Sequence, residues 1–472
     1  MVIERSEIAN PVKNIRIVRS DFEQNYEDDI FNPLWIEKLS NFKAVRFMDW
    51  GSTNSWGMEN SWEWEDTTRT NWIDRSQTDY YTWSNNKGIP YEIMIKLMND
   101  YDLDGWVCVP HKASNEYIRK MAQLFHDNLK PELKLTVEYS NENWNWIFGQ
   151  TQWLYHHGCE EQNKQWPEGI VPYIQNCLDI WSEVYADDMS RINRVVGVQT
   201  GWFDVSDRII KNMREGSIDA VSPAYYFGLS DENLEAELDI LGSEATVQDI
   251  ASRVRESREY NEKVWIKKIK EGIADPLNLP LMFYEGGQHI TPTPFGEEPT
   301  YADALLAIQR DTAIYNLYNE WFEFMRTLQS GDNPLTLMNF SFVSNRSAKY
   351  GSWGILETLD QDTSIIPAPK YKSIMENIHH GCIESSSVLT NDGNEILLYP
   401  NPVVDKLYIE SSRNETDIEV IKIYNLSGNI IFESKISNSG STIDLSHLET
   451  SVYIVKILLK NGESFYKKII KY

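Results

Sequence analysis

The segment Lys134-Leu-Thr-Val-Glu-Tyr-Ser-Asn-Glu-Asn-Trp-Asn-Trp146 decides how this chain is read. An apolar, β-favouring run gives way at Ser140 to amides and indoles, the pattern of a buried strand that ends at a site. The same transition recurs in Leu279-Pro-Leu-Met-Phe-Tyr-Glu-Gly-Gly-Gln-His289. Each segment places a glutamate at the change, Glu142 in the first and Glu285 in the second. Further apolar runs flank them, giving predicted strands at 14–18, 43–50, 105–110, 134–139, 194–200, 220–227, 279–284 and 335–343. Helical spacing lies between them. Residues 91–101 carry Ile93, Ile95, Leu97 and Met98, and residues 115–129 carry Ile118, Met121, Leu124 and Phe125. Eight strands alternating with helices predict an α/β fold, a closed (β/α)8 TIM barrel over residues 1–382. If 14–18 is not the first strand, that strand lies upstream of this chain.

In such a barrel the functional groups sit at the C-terminal ends of the strands. The predicted order puts Asp49 and Trp50 after the second strand, His111 after the third, and Asn141 with Glu142 after the fourth. Tyr225 and Tyr226 end the sixth, Glu285 the seventh, and Ser344 with Asn345 follow the eighth. Two carboxyls across a sugar-sized cleft are what hydrolysis of a glycosidic bond requires, about 5–5.5 Å apart when configuration is retained. Glu138 lies four residues before Glu142. By strand alternation it faces the same way, as a rival carboxylate or a supporting group; Asp49 is a second rival.

Composition narrows the partners. The net charge of −27 argues against nucleic acid and against an anionic membrane surface. No run of eighteen apolar residues exists, so no transmembrane helix is expected. The first residues, Met-Val-Ile-Glu-Arg-Ser-Glu-Ile, lack the apolar core of a signal peptide, which leaves the completeness of the N-terminus open. With 17 Trp and 25 Tyr, the chain has rings both for a core and for stacking on sugars. Trp50, Trp56, Trp62, Trp64, Trp72 and Trp83, interleaved with Asn54, Asn60 and Asn71, fill a loop too long for a tight strand-to-helix turn. That loop reads equally as a substrate platform or as a self-packed insertion.

The four cysteines, Cys108, Cys159, Cys177 and Cys382, have no metal-ligand spacing. Cys108 reads as a buried thiol, and a Cys159–Cys177 disulfide is weakly supported. The adjacent pairs His156-His157 and His379-His380 point in diverging directions, which argues against a metal there. No zinc-protease, nucleophile-elbow, phosphate-loop or dinucleotide motif occurs, and no cofactor is expected.

Residues 383–396 are small and polar and read as a linker. Residues 397–472 contain no Trp and alternate in short β-type segments, as in a small all-β sandwich. The opening Leu398-Tyr-Pro-Asn-Pro402, the run Val420-Ile-Lys-Ile-Tyr-Asn-Leu-Ser-Gly428 and the basic ending Lys467-Lys-Ile-Ile-Lys-Tyr472 closely resemble the C-terminal sorting domain of the type IX secretion system. Ser451 stands where that family usually has Gly. The resemblance implies engagement with the type IX machinery and a secreted or surface-attached protein.

Asn141-Glu142 and Glu285, at the ends of strands four and seven, resemble the clan A retaining (β/α)8 glycoside hydrolases. The resemblance implies that Glu142 is the acid/base and Glu285 the nucleophile. It also implies that Asn141 meets the sugar 2-hydroxyl and that Arg46 lies beneath the nucleophile and keeps it ionised. The wording Arg-Phe-Met-Asp-Trp-Gly, Val-Glu-Tyr-Ser-Asn-Glu-Asn-Trp-Asn and Tyr-Glu-Gly-Gly-Gln-His is similar to secreted bacterial proteins often labelled cellulose-binding. The expected substrate contacts are Asn141, Arg46, Asp49, Trp50, His111, Trp144, Tyr226, His289 and Trp353, on a polysaccharide cleaved internally. The competing expectation is a non-catalytic glycan-binding protein on a degenerate barrel.

Overall fold

The computed structural model describes residues 5–12, 17–24, 26, 30–58, 69–80, 82–291, 297–329, 335–381, 388–389, 395–399, 403, 405–411, 418–425, 429–435, 441–449, 451–460 and 464–471. The larger unit is built on parallel strands: β1 Ala44–Arg46, β2 Asp104–Val109, β3 Leu135–Tyr139, β4 Ile192–Val198, β5 Ala220–Pro223, β6 Tyr225–Gly228, β7 Met282–Phe283, β8 Gly286–His289 and β9 Thr336–Leu337. The first five pair in chain order. The register sets Val45 opposite Gly105, Val107 opposite Val137, and Glu138 opposite Val195. A bridge from Val221 to Leu281 carries the ladder onward, β6 pairs with β8, and β7 with β9.

The ladder therefore runs through seven strand positions and forms a curled parallel sheet. Two of those positions are interrupted, one at Ala224 and one at Tyr284-Glu285, so that each yields two short strands. Among the described residues, β1 and β9 each have one strand partner. Their flanks nevertheless approach: the rings of Phe42 and Phe342 meet edge to face at 5.8 Å. The expected strand at 14–18 is not found in this form. Residues 14–16 lie outside the described residues, and Ile17, which is extended chain rather than strand, is 86% exposed.

Helices cover the outer face for the reason their spacing implies. In Asn115–Asn128, Tyr117, Ile118, Met121, Ala122 and Phe125 are buried on one side, and Ser114 caps the first turn by accepting from Tyr117 N at 3.2 Å. The inner face is unusual in being polar: Arg46, Trp106, Cys108 and Glu138 converge there. Gly197 of β4 makes room for them. A Cβ at this position would lie 2.8 Å from Glu138 Oε1 and 3.1 Å from the Trp144 ring.

The C-terminal unit comprises β10 Val388–Leu389, β11 Glu395–Tyr399, β12 Lys406–Ser411, β13 Ile418–Tyr424, β14 Ile430–Lys435, β15 Ser441–Asp444, β16 Ser451–Leu459 and β17 Ser464–Lys471. Two antiparallel four-stranded sheets, β10-β11-β12-β15 and β14-β13-β16-β17, contribute to one apolar core that includes Leu398, Leu407, Ile409, Ile421, Ile423, Val455 and Ile457. Part of the expected linker is thus strand, because Val388 and Leu389 pair with Ile396 and Glu395. The rest of it, 383–387 and 390–394, lies outside the described residues, as do Tyr-Pro-Asn-Pro residues 400–402. Cys159 and Cys177 are both free and buried, so the considered disulfide is absent; Cys382 lies outside the described residues.

Candidate active site

Arg46 organises the mouth of the curled sheet. Its Nη2 donates to Glu138 Oε2 at 2.7 Å and to Asn141 Oδ1 at 2.8 Å, and its Nη1 donates to Glu285 Oε2 at 3.3 Å. Its guanidinium also lies 5.1 Å from the Tyr284 ring centre. The ends of β3 and β7 are thereby tied to a cation on β1. Glu138, buried beneath, also accepts from Trp106 Nε1 at 3.0 Å. Buried, and bound through Oε2 to both Arg46 and Trp106, it anchors Arg46.

The two strand-end glutamates are held by separate networks. Glu142 Oε1 accepts from the Tyr284 hydroxyl at 2.6 Å, and its Oε2 accepts from Asn145 Nδ2 at 2.7 Å. Glu285 Oε1 accepts from the Tyr226 hydroxyl at 3.2 Å, with Arg46 on the other oxygen. The backbone of the Glu142 turn is left-handed at two side-chain-bearing residues, Ser140 (φ 57°) and Glu142 (φ 43°). Such positions carry strain of about 1–3 kcal/mol each, and they persist where the surroundings over-determine them. Here Gln150 Nε2 clamps the Asn141 carbonyl at 2.8 Å, and Thr151 Oγ1 clamps the Glu142 carbonyl at 3.1 Å.

The electrostatics differ from the expectation that Arg46 keeps Glu285 acidic. Burial pushes the Glu285 carboxyl up, the charge of Glu142 pushes it further, and Arg46 and the Tyr226 hydroxyl pull against both; the balance lies at about 8. The reason is visible in the bond lengths, since Arg46 gives its shorter contact to Glu138 and its longer one to Glu285. Burial, reinforced by both carboxylates, also raises the Tyr284 hydroxyl far above its ordinary value, so it remains a proton donor to Glu142.

The expected contacts divide into groups. Asn141 is at the centre but fully used, with Oδ1 on Arg46 and Nδ2 donating to Asn54 Oδ1 at 3.0 Å. Trp144 is buried and packs edge-on to Tyr284, 6.3 Å between ring centres. Tyr226, His289 and Trp353 form an aromatic rim beside Glu285, with centres 5.0–6.2 Å apart. Asp49 is exposed at the mouth; burial raises its carboxyl and Arg46 opposes the rise.

Two expected residues sit elsewhere. Trp50 packs into a cluster with Phe31, Trp35 and Phe47. His111 is wholly buried against Trp153, and burial, with Lys112 and Arg69, lowers it to about 3. Of the long Trp-rich loop, Trp56 is buried and Trp72 stacks on Tyr91, which is self-packing. Trp62, Trp64 and Asn60 lie outside the described residues.

Tyr284, Asn145 and Trp106 were not singled out by the sequence. Strict alternation sends Tyr284 away from the face of Glu285. The break in the strand at 284–285 lets both reach the mouth.

Residues 397–472 match the family described as the secretion system C-terminal sorting domain. That tail marks the chain for export by the type IX secretion system, to the cell surface or the medium. No curated relative matches the chain. Among solved structures, it aligns with a GH51 arabinofuranosidase from Xanthomonas axonopodis pv. citri at 10% identity and a TM-score of 0.40, covering 93% of this chain and 87% of that one. A modular endo-β-1,4-mannanase from Cellulomonas fimi aligns at 10% identity and 0.36, covering 93% and 95%. Bacteroides uniformis β-glucuronidase 2 aligns at 10% and 0.33; the alignment takes in 84% of this chain but only 41% of that structure's length. Likenesses this distant bear on neither substrate nor mechanism.

Proposed function

We propose that the chain is a secreted retaining glycoside hydrolase acting on a polysaccharide, built on a (β/α)8 barrel. The observation that carries the reading is the paired arrangement of Glu142 and Glu285. They are two strand-end carboxyls on separate hydrogen-bond networks, one with a proton affinity raised to about 8. The approach of Phe42 to Phe342 supports closure of the barrel.

In this reading Glu285 attacks the anomeric carbon while Glu142 protonates the leaving oxygen, and Glu142 then takes a proton from the water that releases the sugar. The reaction needs Glu285 ionised; burial and the charge of Glu142 raise its carboxyl, and Arg46 and the Tyr226 hydroxyl oppose that rise. The positive charge that develops on the sugar ring would favour ionised Glu285 further. The rim of Tyr226, His289 and Trp353 would line the glycone side, and a polymer cut internally is the substrate expected of an exported chain.

The test is release of reducing ends from a panel of glucans, xylans, mannans and sulfated glycans. Glu285→Ala and Glu142→Ala should each abolish turnover and leave the Trp fluorescence of the folded protein intact. Full activity in either variant overturns the assignment. Binding without release of reducing ends from any polymer would favour the glycan-binding alternative.

A further inference from the structure

The helix that follows the Glu142 loop changes character at Tyr155. Residues Tyr155–Glu160 form a π-helix, closed by Glu161 N donating to His156 O at 3.0 Å, five residues back. This changes which side chains share a face. In an α-helix the residue five positions on lies about 140° round the axis, so His156 and Glu161 would be on different sides. The wider turn brings Glu161 between the two histidines. His157 Nδ1 lies 3.0 Å from Glu161 Oε2, and His156 Nε2 lies 3.6 Å from Glu161 Oε1. One donor atom from each of the three falls within 4.8 Å of the others. The expectation that these adjacent histidines diverge is therefore corrected by the π-turn.

Two further observations favour a cation at this point. Glu160 Oε2 holds His156 Nδ1 at 2.9 Å, the carboxylate–imidazole support that fixes a metal ligand's ring and leaves its far nitrogen facing the cluster. His157 is buried against Trp153, 4.6 Å between ring centres, so its position is set by packing and not by solvent.

We propose that His156, His157 and Glu161 form a binding site for a divalent transition metal. Two imidazoles and one carboxylate match Zn2+ and its neighbours rather than Ca2+ or Mg2+, which take oxygen ligands. The half-exposed Glu161 and His156 supply the small movement needed to close ligands from 4.8 Å onto one ion, and solvent completes the shell. The consequence would be mechanical. Tyr155, on the same π-turn, contacts Trp146 at 5.1 Å and Trp166 at 6.2 Å, so an ion here would brace the loop that descends from Glu142.

The experiment is calorimetric titration of the full chain, stripped with chelator, with ZnCl2, and separately with CaCl2. One Zn2+ should bind per chain and raise the melting temperature, and Ca2+ should not. His156→Ala and Glu161→Gln, both at partly exposed positions, should abolish the binding, and Glu160→Gln should weaken it about tenfold or more. Unchanged melting temperatures of the metal-free variants would show that they fold. No Zn2+ binding by the wild-type chain overturns the proposal. So does Zn2+ binding that survives undiminished in both His156→Ala and Glu161→Gln.

Discussion

Replacing Glu285 with glutamine removes one titrating group from a buried setting and leaves its shape. The expected effect lies in how stability changes with pH. In the unfolded chain this carboxyl loses its proton near 4.5, and in the folded protein it does so near 8. Between those values the folded state holds a proton that the unfolded state has released. The slope of stability against pH is therefore negative, and the contribution present in full below pH 4.5 is lost as pH rises towards 8. Each pH step in that window is worth about 1.36 kcal/mol. From pH 5 to pH 8 the wild type should therefore lose up to about 3.5 kcal/mol relative to Glu285→Gln, a ceiling because the substitution also removes the coupling between Glu285 and Glu142. Urea unfolding followed by Trp fluorescence measures this cleanly, because residues 397–472 contain no Trp and the signal comes from the larger unit alone. A difference between the two proteins that stays constant from pH 5 to pH 8 would refute the argument that burial raises the Glu285 carboxyl.

Tyr284→Phe deletes the 2.6 Å hydrogen bond to Glu142 Oε1. A bond to a charged group is worth about 1.5–3 kcal/mol, so stability should fall by about that much in urea denaturation, and an unchanged midpoint would contradict the network described. Gly197→Ala drives a methyl to 2.8 Å from Glu138 Oε1 and should cost about 1–3 kcal/mol in urea denaturation; an unchanged midpoint would contradict the packing described. Glu138→Gln leaves Arg46 buried with one fewer anionic partner, and a loss of about 3–5 kcal/mol is expected in the same assay. Removing residues 397–472 should keep the protein inside a host that has the type IX system, as read by fractionating cells and medium.

The strands that could be read from the sequence are those whose two faces are both covered. Trp106-Val-Cys-Val109 and Leu135-Thr-Val-Glu-Tyr139 are almost continuously buried, and their apolar runs announce it. Where the ladder is short or broken, at Ala44–Arg46, Ala224 and Tyr284-Glu285, no periodicity marks the interruption; at Ala224 the Thr200 hydroxyl replaces a strand partner, whereas Tyr284 N and Glu285 O keep backbone partners. The glutamates were legible because each ends a run. Their partners were not, because Tyr284 and Asn145 are defined by where a break and a left-handed turn aim them. Aromatic content said how many rings there were but not which way they faced. Trp50 and Trp56 went into the packing of a long insertion that has to bury something of its own to be ordered.

Glu138 and the His156-His157 pair illustrate one limit from opposite sides. Both were judged by regular geometry, alternation along a strand in one case and divergence of neighbours on a helix in the other. Alternation held for Glu138: it does share the face of the site, but a cation reaches it first at 2.7 Å and converts a rival catalyst into an anchor. Divergence failed for the histidines, because a single π-turn alters the angle between positions five apart and brings an acid between them. A regular period predicts direction, whereas chemistry depends on which groups actually meet. In this chain the departures from regularity at Glu142, at Tyr284-Glu285 and at Tyr155–Glu160 are where charged groups have been brought together. At these three places backbone irregularity, and not a regular period, sets which titratable groups meet: Glu142 with Tyr284, Glu285 with Arg46 and Tyr226, and Glu161 with His157.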